Sequence, residues 1–403
     1  MRNGGLSTIK TRVKTQEFST CLLLFLLGRD KIYTNEFMKK GTVPIMLENT
    51  NYRLNKEKQL CVGYFGGSIT EGSGASIWNE TSWRARTNAF LHLAYPDAEI
   101  TEVMAAIGGT GTDLGICRLE KDLLAKKPNL VFIEFATNDL FMPFKDQLAN
   151  YESCLRRIME ADPTTEIICV FTAQLNTDKA QKETGDYRSR TVEAFLAHYY
   201  GLPIIDIGDV MRTAVHHAGD DWTVYTTDTV HPNDDGYLLC ANTVREHLTK
   251  WLSEKTPASL TEKKLPSPIS ASLPHGKMVE LSECEDALQG WHFVDKPFKK
   301  RFPHYYKADG IGSTIDLEFE GSAFGLFWIM DDNSGMIEIS LDGGEPVRLS
   351  AWDEYCPKFS RAGYTFPFTD LSMGKHKIHL RVCEDKAKES HGNDIAIFAF
   401  LSY

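Results

Sequence analysis

Between residues 60 and 172 the chain carries three nearly uninterrupted apolar runs, 60–65, 130–135 and 167–172, and few folds can hide such runs from water. Each is rich in Val, Ile or Phe and short, which is the composition of a strand covered on both faces. A fourth run lies at 202–207. Between them, 82–93, 113–125, 147–161 and 187–200 have the length and apolar spacing of helices that cover a sheet. Strands and helices alternating in this way predict a three-layer α/β/α sandwich around a parallel sheet.

The pattern changes at 253–274, where Pro257, Pro266, Pro268 and Pro274 stand among Ser, Thr and Lys, as in a linker. Beyond it, β-rich stretches at 314–319, 324–330, 336–341 and 377–382 are separated by turn residues such as Asp342-Gly343-Gly344. That predicts an all-β module, a two-sheet sandwich or jelly roll. At 403 residues the chain exceeds one ordinary core of about 150 residues. The expected division is a poorly ordered extension at 1–37, an α/β domain at 38–252, the linker at 253–274 and the β-sandwich at 275–403.

Composition excludes several partners. Hydrophobic residues at 42% and charged residues at 25% fit a soluble globular chain. A net charge of -11 without a clustered basic face speaks against nucleic acid. Lys10, Arg12 and Lys14 precede an apolar run at 21–27, but the run is too short to span a bilayer and no small-residue cleavage site follows. Neither a membrane partner nor a secretion signal is therefore expected, and Met38-Lys39-Lys40 is a candidate translation start. Nine scattered cysteines without a Cys-x-x-Cys pair point to free thiols and a cytoplasmic location, with export as the alternative.

Four segments carry candidate chemistry. Residues 63–72 read Gly-Tyr-Phe-Gly-Gly-Ser-Ile-Thr-Glu-Gly, a buried strand running into a turn that puts the Ser68 hydroxyl at the carboxyl end of the sheet. A glycine-rich loop at 107–115 contains Gly109 and offers Thr112 or Asp113 as helix N-cap; it lacks the lysine of a phosphate-cradling loop. Asn138 follows the run at 130–135, and Asp228-Thr229-Val230-His231 precedes a helical stretch at 236–252. Taken singly, each has a plainer explanation: a turn, a capped loop, an Asn bonded to backbone, a chance Asp-x-x-His.

Taken together and in this order, the four blocks resemble the SGNH/GDSL hydrolase superfamily over residues 58–252. The resemblance implies a flavodoxin-like α/β/α sandwich with Ser68 as nucleophile and Asp228 and His231 as acid and base. It implies an oxyanion hole made by the amides of Ser68 and Gly109 and the side chain of Asn138, and no cofactor or metal. The nucleophile block departs from the family's Gly-Asp-Ser-Leu, reading Gly-Gly-Ser-Ile-Thr, and the asparagine block reads Ala-Thr-Asn-Asp where the family has Gly-x-Asn-Asp.

These residue types suit acyl transfer. A serine hydroxyl becomes an effective nucleophile when an imidazole removes its proton during attack. A carboxylate on the far ring nitrogen fixes the tautomer and stabilises the imidazolium, and convergent N–H donors hold the oxyanion. The expected substrate is a small-molecule or oligosaccharide acyl ester, above all an O-acetyl sugar. Alternatives are an esterase or thioesterase for longer chains and a non-catalytic carbohydrate-binding protein. Trp291, Tyr305, Tyr306, Trp328, Trp352 and Tyr355 are candidate sugar contacts in the β module, with packing between sheets as their default role. Trp78, Trp83 and Trp222 have the same two readings near the site. Glu71 and Asp139 are expected to cap helices or bind backbone, and His216-His217 lack a third ligand at metal spacing.

Overall fold

Five parallel strands, β1 (Gln59–Gly66), β2 (Glu99–Ala106), β3 (Leu130–Glu134), β4 (Glu166–Phe171) and β5 (Ile204–Asp206), form one sheet in the order β2-β1-β3-β4-β5. The computed structural model describes residues 47–403 apart from 186, 254 and 300, so the expected extension at 1–37 and the start at Met38 lie outside the described residues. Every residue of β3 and β4 is buried, as their composition requires. Helices Trp83–Ala94, Ile207–His217 and Asp234–Leu252 pack together as one layer, and Thr112–Asp122, Phe144–Ala161 and Arg188–Tyr199 as the other. Between sheet and first layer, Tyr64 stacks on Phe132 at 5.1 Å with Trp83 edge-on to both. These rings are fully buried and anchor β1 beneath the turn that carries Ser68.

Three elements depart from the sequence expectation. β2 was not expected, because it is an edge strand that buries only Ile100, Ala105 and Ala106, so neither a continuous run nor a clean alternation marks it. Helix Leu175–Thr184 buries only Thr177 and Asp178 and has no apolar stripe. Helix Ile207–His217 starts directly after β5, with Asp206 accepting a hydrogen bond from Asp209 N at 2.8 Å, so no turn residues announce it. Helix Thr112–Asp122 differs at its start: Gly111, not Thr112 or Asp113, is its N-cap.

The strand order reverses direction between β1 and β3, since the chain leaves β1 toward β2 and leaves β3 toward β4. A crevice opens at the carboxyl ends of strands at such a switch point, which is where open α/β sheets bind ligands. Ser68 follows β1 and Asn138 follows β3.

The C-terminal strands are antiparallel and form two sheets around a shared apolar core. One runs Val347–Ser350, Met336–Leu341, Gly374–Val382, Thr314–Gly321 and Leu288–Gln289; the other runs Arg361–Phe368, Phe324–Met330, Ala396–Ser402, Tyr305–Ala308 and Trp291–Val294, with Lys277–Glu280 also paired to Ala396–Ser402. Trp328 and Tyr306 are buried in that core, and Trp291 and Trp352 pack against it. Of the sugar-contact candidates, Tyr355 is the exposed one.

Residues 255–274 contain neither helix nor strand and are tied along helix Phe144–Ala161 and its neighbours. Glu152 accepts from Ile269 N and Ser270 N at 2.7 Å each, Arg156 donates to the Pro266 carbonyl at 2.7 Å, and Ser153 Oγ donates to the Pro274 carbonyl at 2.6 Å. The eight described cysteines are unpaired, and no helix among the described residues is long and apolar enough to cross a membrane.

Candidate active site

The chain leaves β1 at Gly66, passes Gly67 and enters the single helical turn Ser68–Glu71, so Ser68 stands at the head of the turn, half-buried. From the other side of the crevice the 226–233 loop brings in His231, whose Nε2 lies 2.9 Å from Ser68 Oγ. His231 Nδ1 lies 2.7 Å from Asp228 Oδ2, while Asp228 Oδ1 accepts from His231 N at 2.8 Å and from Val230 N at 3.1 Å. A carboxylate accepting from Nδ1–H leaves the Nε2 lone pair free to accept the serine proton, which is the tautomer a general base needs. Burial raises the Asp228 pKa, but the hydrogen bonds from the His231 amide, the His231 ring and the Val230 amide outweigh it and hold the carboxyl below its ordinary range. Asp228, whose side chain is also 52% exposed, therefore stays ionised at neutral pH.

Asn233 caps the helix Asp234–Leu252, accepting from Gly236 N at 3.0 Å. In the first turn of that helix, Asp234 accepts from Ser76 N at 2.9 Å and Thr81 Oγ1 at 2.7 Å, which joins the loop after Ser68 to the loop bearing His231. Trp78 in the former loop is half exposed, whereas Trp83 and Trp222 are buried.

The side of Ser68 away from His231 is assembled by close approach. A Cβ placed on Gly67 would lie 2.0 Å from Asn138 Oδ1, so the Asn138 carboxamide rests directly on the glycine that precedes Ser68. With Asn138 in this position, residue 67 of this chain has no room for a side chain. A Cβ on Gly108 would come within 3.4 Å of Ser68 Cβ, which puts the glycine loop beside Ser68. Gly109 has φ +72° and is exposed, a conformation that favours glycine. Thus Ser68, His231 and Asp228 are in direct contact, Asn138 lies against the residue before Ser68, and the Gly109 loop borders it.

A buried acidic layer supports these loops. Glu134, the last residue of β3, accepts from Thr70 Oγ1 at 2.8 Å and Thr172 Oγ1 at 2.9 Å, and from the amides of Gly67 and Thr70. Asp139 accepts from Thr112 N at 2.9 Å and Thr112 Oγ1 at 2.6 Å, linking the asparagine block to the glycine loop. Arg118 is fully buried, its Nη2 donating to the Gly66 carbonyl at 3.1 Å. Neither Glu134 nor Arg118 belongs to a motif in the sequence; the visible signal for Glu134 is a lone charge in an otherwise apolar stretch, Leu-Val-Phe-Ile-Glu-Phe. Glu71, expected to bind backbone, accepts from Gly108 N at 2.8 Å.

Burial pushes the Glu134 pKa from 4.5 up to about 7 and that of Asp139 from 3.8 up to about 8, against the hydrogen bonds just described. A carboxyl with a raised folded-state pKa stabilises the fold at low pH, and that contribution is lost as pH rises from the unfolded value through the folded one. For Glu134 the window runs from 4.5 to about 7. The linked stability is about 2–3 kcal/mol between pH 5 and 8. Glu134→Gln is expected to flatten the fall in unfolding free energy by that amount in urea titrations at the two pH values; identical pH dependence in both proteins would contradict it.

Among the described residues no group of three or more His, Cys, Asp or Glu could hold a metal ion, and His216 is engaged by Asp220 and Asp178. What the site can do chemically is generate an alkoxide-like nucleophile beside N–H donors.

Comparison with known proteins agrees. The model of the GDSL-like Lipase/Acylhydrolase family matches residues 64–239, a span that includes all four blocks. Residues 64–239 are a GDSL-like acylhydrolase domain. An acetylxylan esterase of Geobacillus stearothermophilus is 28% identical over 217 residues, 48% of this chain and 95% of that protein. Crystal structures of a two-domain esterase (CEX) active on acetylated mannans, one co-crystallized with mannopentaose, superpose with TM-scores of 0.75 and 0.74. They are 22% identical and cover 89% of this chain, so the likeness is one of fold and extends across the GDSL-like domain and the antiparallel sheets alike. The GDSL-like domain makes this chain a serine hydrolase that acts on esters.

Proposed function

We propose that this chain removes acetyl groups from esterified carbohydrate through an acetyl-serine intermediate. The observation that carries the proposal is the 2.9 Å contact of Ser68 Oγ with His231 Nε2, itself backed by Asp228 at 2.7 Å. Ser68 Oγ attacks the acetyl carbon as its proton passes to His231 Nε2. The oxyanion is held by the amides of Ser68 and Gly109 and by the Asn138 side chain. Collapse breaks the ester bond; His231 returns the proton to the departing sugar oxygen and then deprotonates the water that releases acetate and restores Ser68.

The sugar and acetyl parts of the proposal are supported by relatives named as an acetylxylan esterase and as an esterase active on acetylated mannans. We further take the chain as an α/β catalytic domain at 38–252, a connecting segment at 253–274 and a β-sandwich at 275–403, acting in the cytoplasm, where unpaired cysteines are stable. The test is acetate release from acetylated manno- and xylo-oligosaccharides, run beside p-nitrophenyl acetate, butyrate and octanoate. Acetyl sugars are expected to be deacetylated and octanoate to be the poorest of the three phenyl esters. Preference for octanoate, with no acetate from any sugar, would replace the proposal by a long-chain esterase.

A further inference from the structure

The loop that carries Gly109 is held from outside its own domain. Its helix, Thr112–Asp122, lies against the β region: Lys121 pairs with Glu280, and Cys117 Sγ contacts the Ser402 carbonyl at 3.8 Å. Two β-region side chains reach past this contact to the loop itself. Tyr364, in the edge strand Arg361–Phe368, donates its hydroxyl to Asp113 Oδ1 at 2.7 Å and accepts from Gly111 N at 3.3 Å. Arg301 donates to the Ala106 carbonyl, where β2 ends and the loop begins, and its Nη1 lies 3.3 Å from Glu71 Oε1. The other oxygen of Glu71 accepts from Gly108 N at 2.8 Å. Arg301 is 17% exposed and Glu71 31%, so the Arg301 to Glu71 to Gly108 chain is partly screened from water.

Within the α/β domain the loop is anchored behind Gly109 by Asp139 on Thr112 and by Thr110 Oγ1 on the Ile107 carbonyl at 2.8 Å. Gly108 and Gly111, the residues on either side of the Gly109–Thr110 pair, take their amide partners from Glu71 and Tyr364. A glycine at φ +72° with no side chain against it has no packing of its own to fix its amide direction. An oxyanion donor works by being preorganised, so what fixes its neighbours contributes to rate.

We propose that Arg301 and Tyr364 are positioning residues for the Gly109 oxyanion donor, so that the β region sets the turnover rate even on a substrate too small to touch it. This rests on the proposed role of the Ser68 site. It assigns the β region a part in the chemistry that is separate from any sugar contact it makes.

The experiment uses the full chain and p-nitrophenyl acetate. Tyr364→Phe removes one oxygen and keeps the ring, and is expected to lower kcat about tenfold with KM within twofold, the melting temperature within about 2 °C and the shape of the pH–rate profile unchanged. Arg301→Gln is expected to lower kcat about 10- to 100-fold, with Arg301→Lys recovering part of the loss. A purely structural tie would lower the melting temperature and leave kcat of the folded protein alone; a sugar-binding role would raise KM on oligosaccharide and leave p-nitrophenyl acetate untouched. If Arg301→Gln does not fold, Tyr364→Phe decides. Wild-type kcat in Tyr364→Phe, with Ser68→Ala inactive, would overturn the positioning role and spare the esterase proposal. A wild-type chain that neither turns over p-nitrophenyl acetate nor is labelled at Ser68 by an active-site phosphonate would overturn both.

Discussion

Ser68→Ala is expected to lower kcat for p-nitrophenyl acetate by about 10⁵-fold or more while leaving the melting temperature within about 2 °C of wild type. Stability should hold because Ser68 is half-buried at the first position of a one-turn helix, where alanine is a good helix former, and the Gly67 and Thr70 anchors to Glu134 remain. Activity should fall because, in the proposed mechanism, the Ser68 oxygen is the atom that bonds to the acyl carbon. His231→Ala removes the ring whose Nε2 lies 2.9 Å from Ser68 Oγ, the proposed acceptor of its proton, and should cost nearly as much. The two act as one unit, so the double variant is expected to be no slower than either single one. Multiplicative losses would mean that His231 serves a different nucleophile, and more than about 1% residual kcat in Ser68→Ala would remove Ser68 from the chemistry.

The parts legible in the sequence are those whose cause is local. Runs such as 130–135 and 167–172 announce strands because burial on both faces favours apolar residues at nearly every position. Asp228 and His231 can be paired from spacing, since a carboxylate three residues upstream can reach both the amide and the ring nitrogen of the histidine. β2 escaped because an edge strand with Glu99, Thr101 and Glu102 in water has no reason to look apolar. The contacts that hold the site together escaped for a different reason. Tyr364 meets Asp113 across 251 positions and Arg301 meets Glu71 across 230, and neither partner carries a mark of the other in its neighbours. Glu134 lies between these cases: its position after four buried apolar residues is a local signal, but its partners, Thr70 and Thr172, come from two other loops.

Asn138→Ala is expected to lower kcat by about 10²–10³-fold, or roughly 3–4 kcal/mol, with little change in KM, because a side-chain oxyanion donor bonds more strongly to the tetrahedral oxygen than to the ground-state carbonyl. The close seat of Asn138 on Gly67 gives a sharper test. Adding a methyl group at residue 67 would put a carbon 2.0 Å from Asn138 Oδ1, so Gly67→Ala must push the carboxamide aside. If displacement of that donor is its main effect, Gly67→Ala should resemble Asn138→Ala in kcat, and should cost little more when added to it. Asn138→Asp keeps the shape and turns the donor into an anion facing a developing anion, so it should be slower than the alanine variant. Steady-state kinetics on p-nitrophenyl acetate across the four variants would measure this. An Asn138→Ala enzyme within threefold of wild type would leave the oxyanion to backbone amides alone, and Asn138 as a residue that packs Gly67.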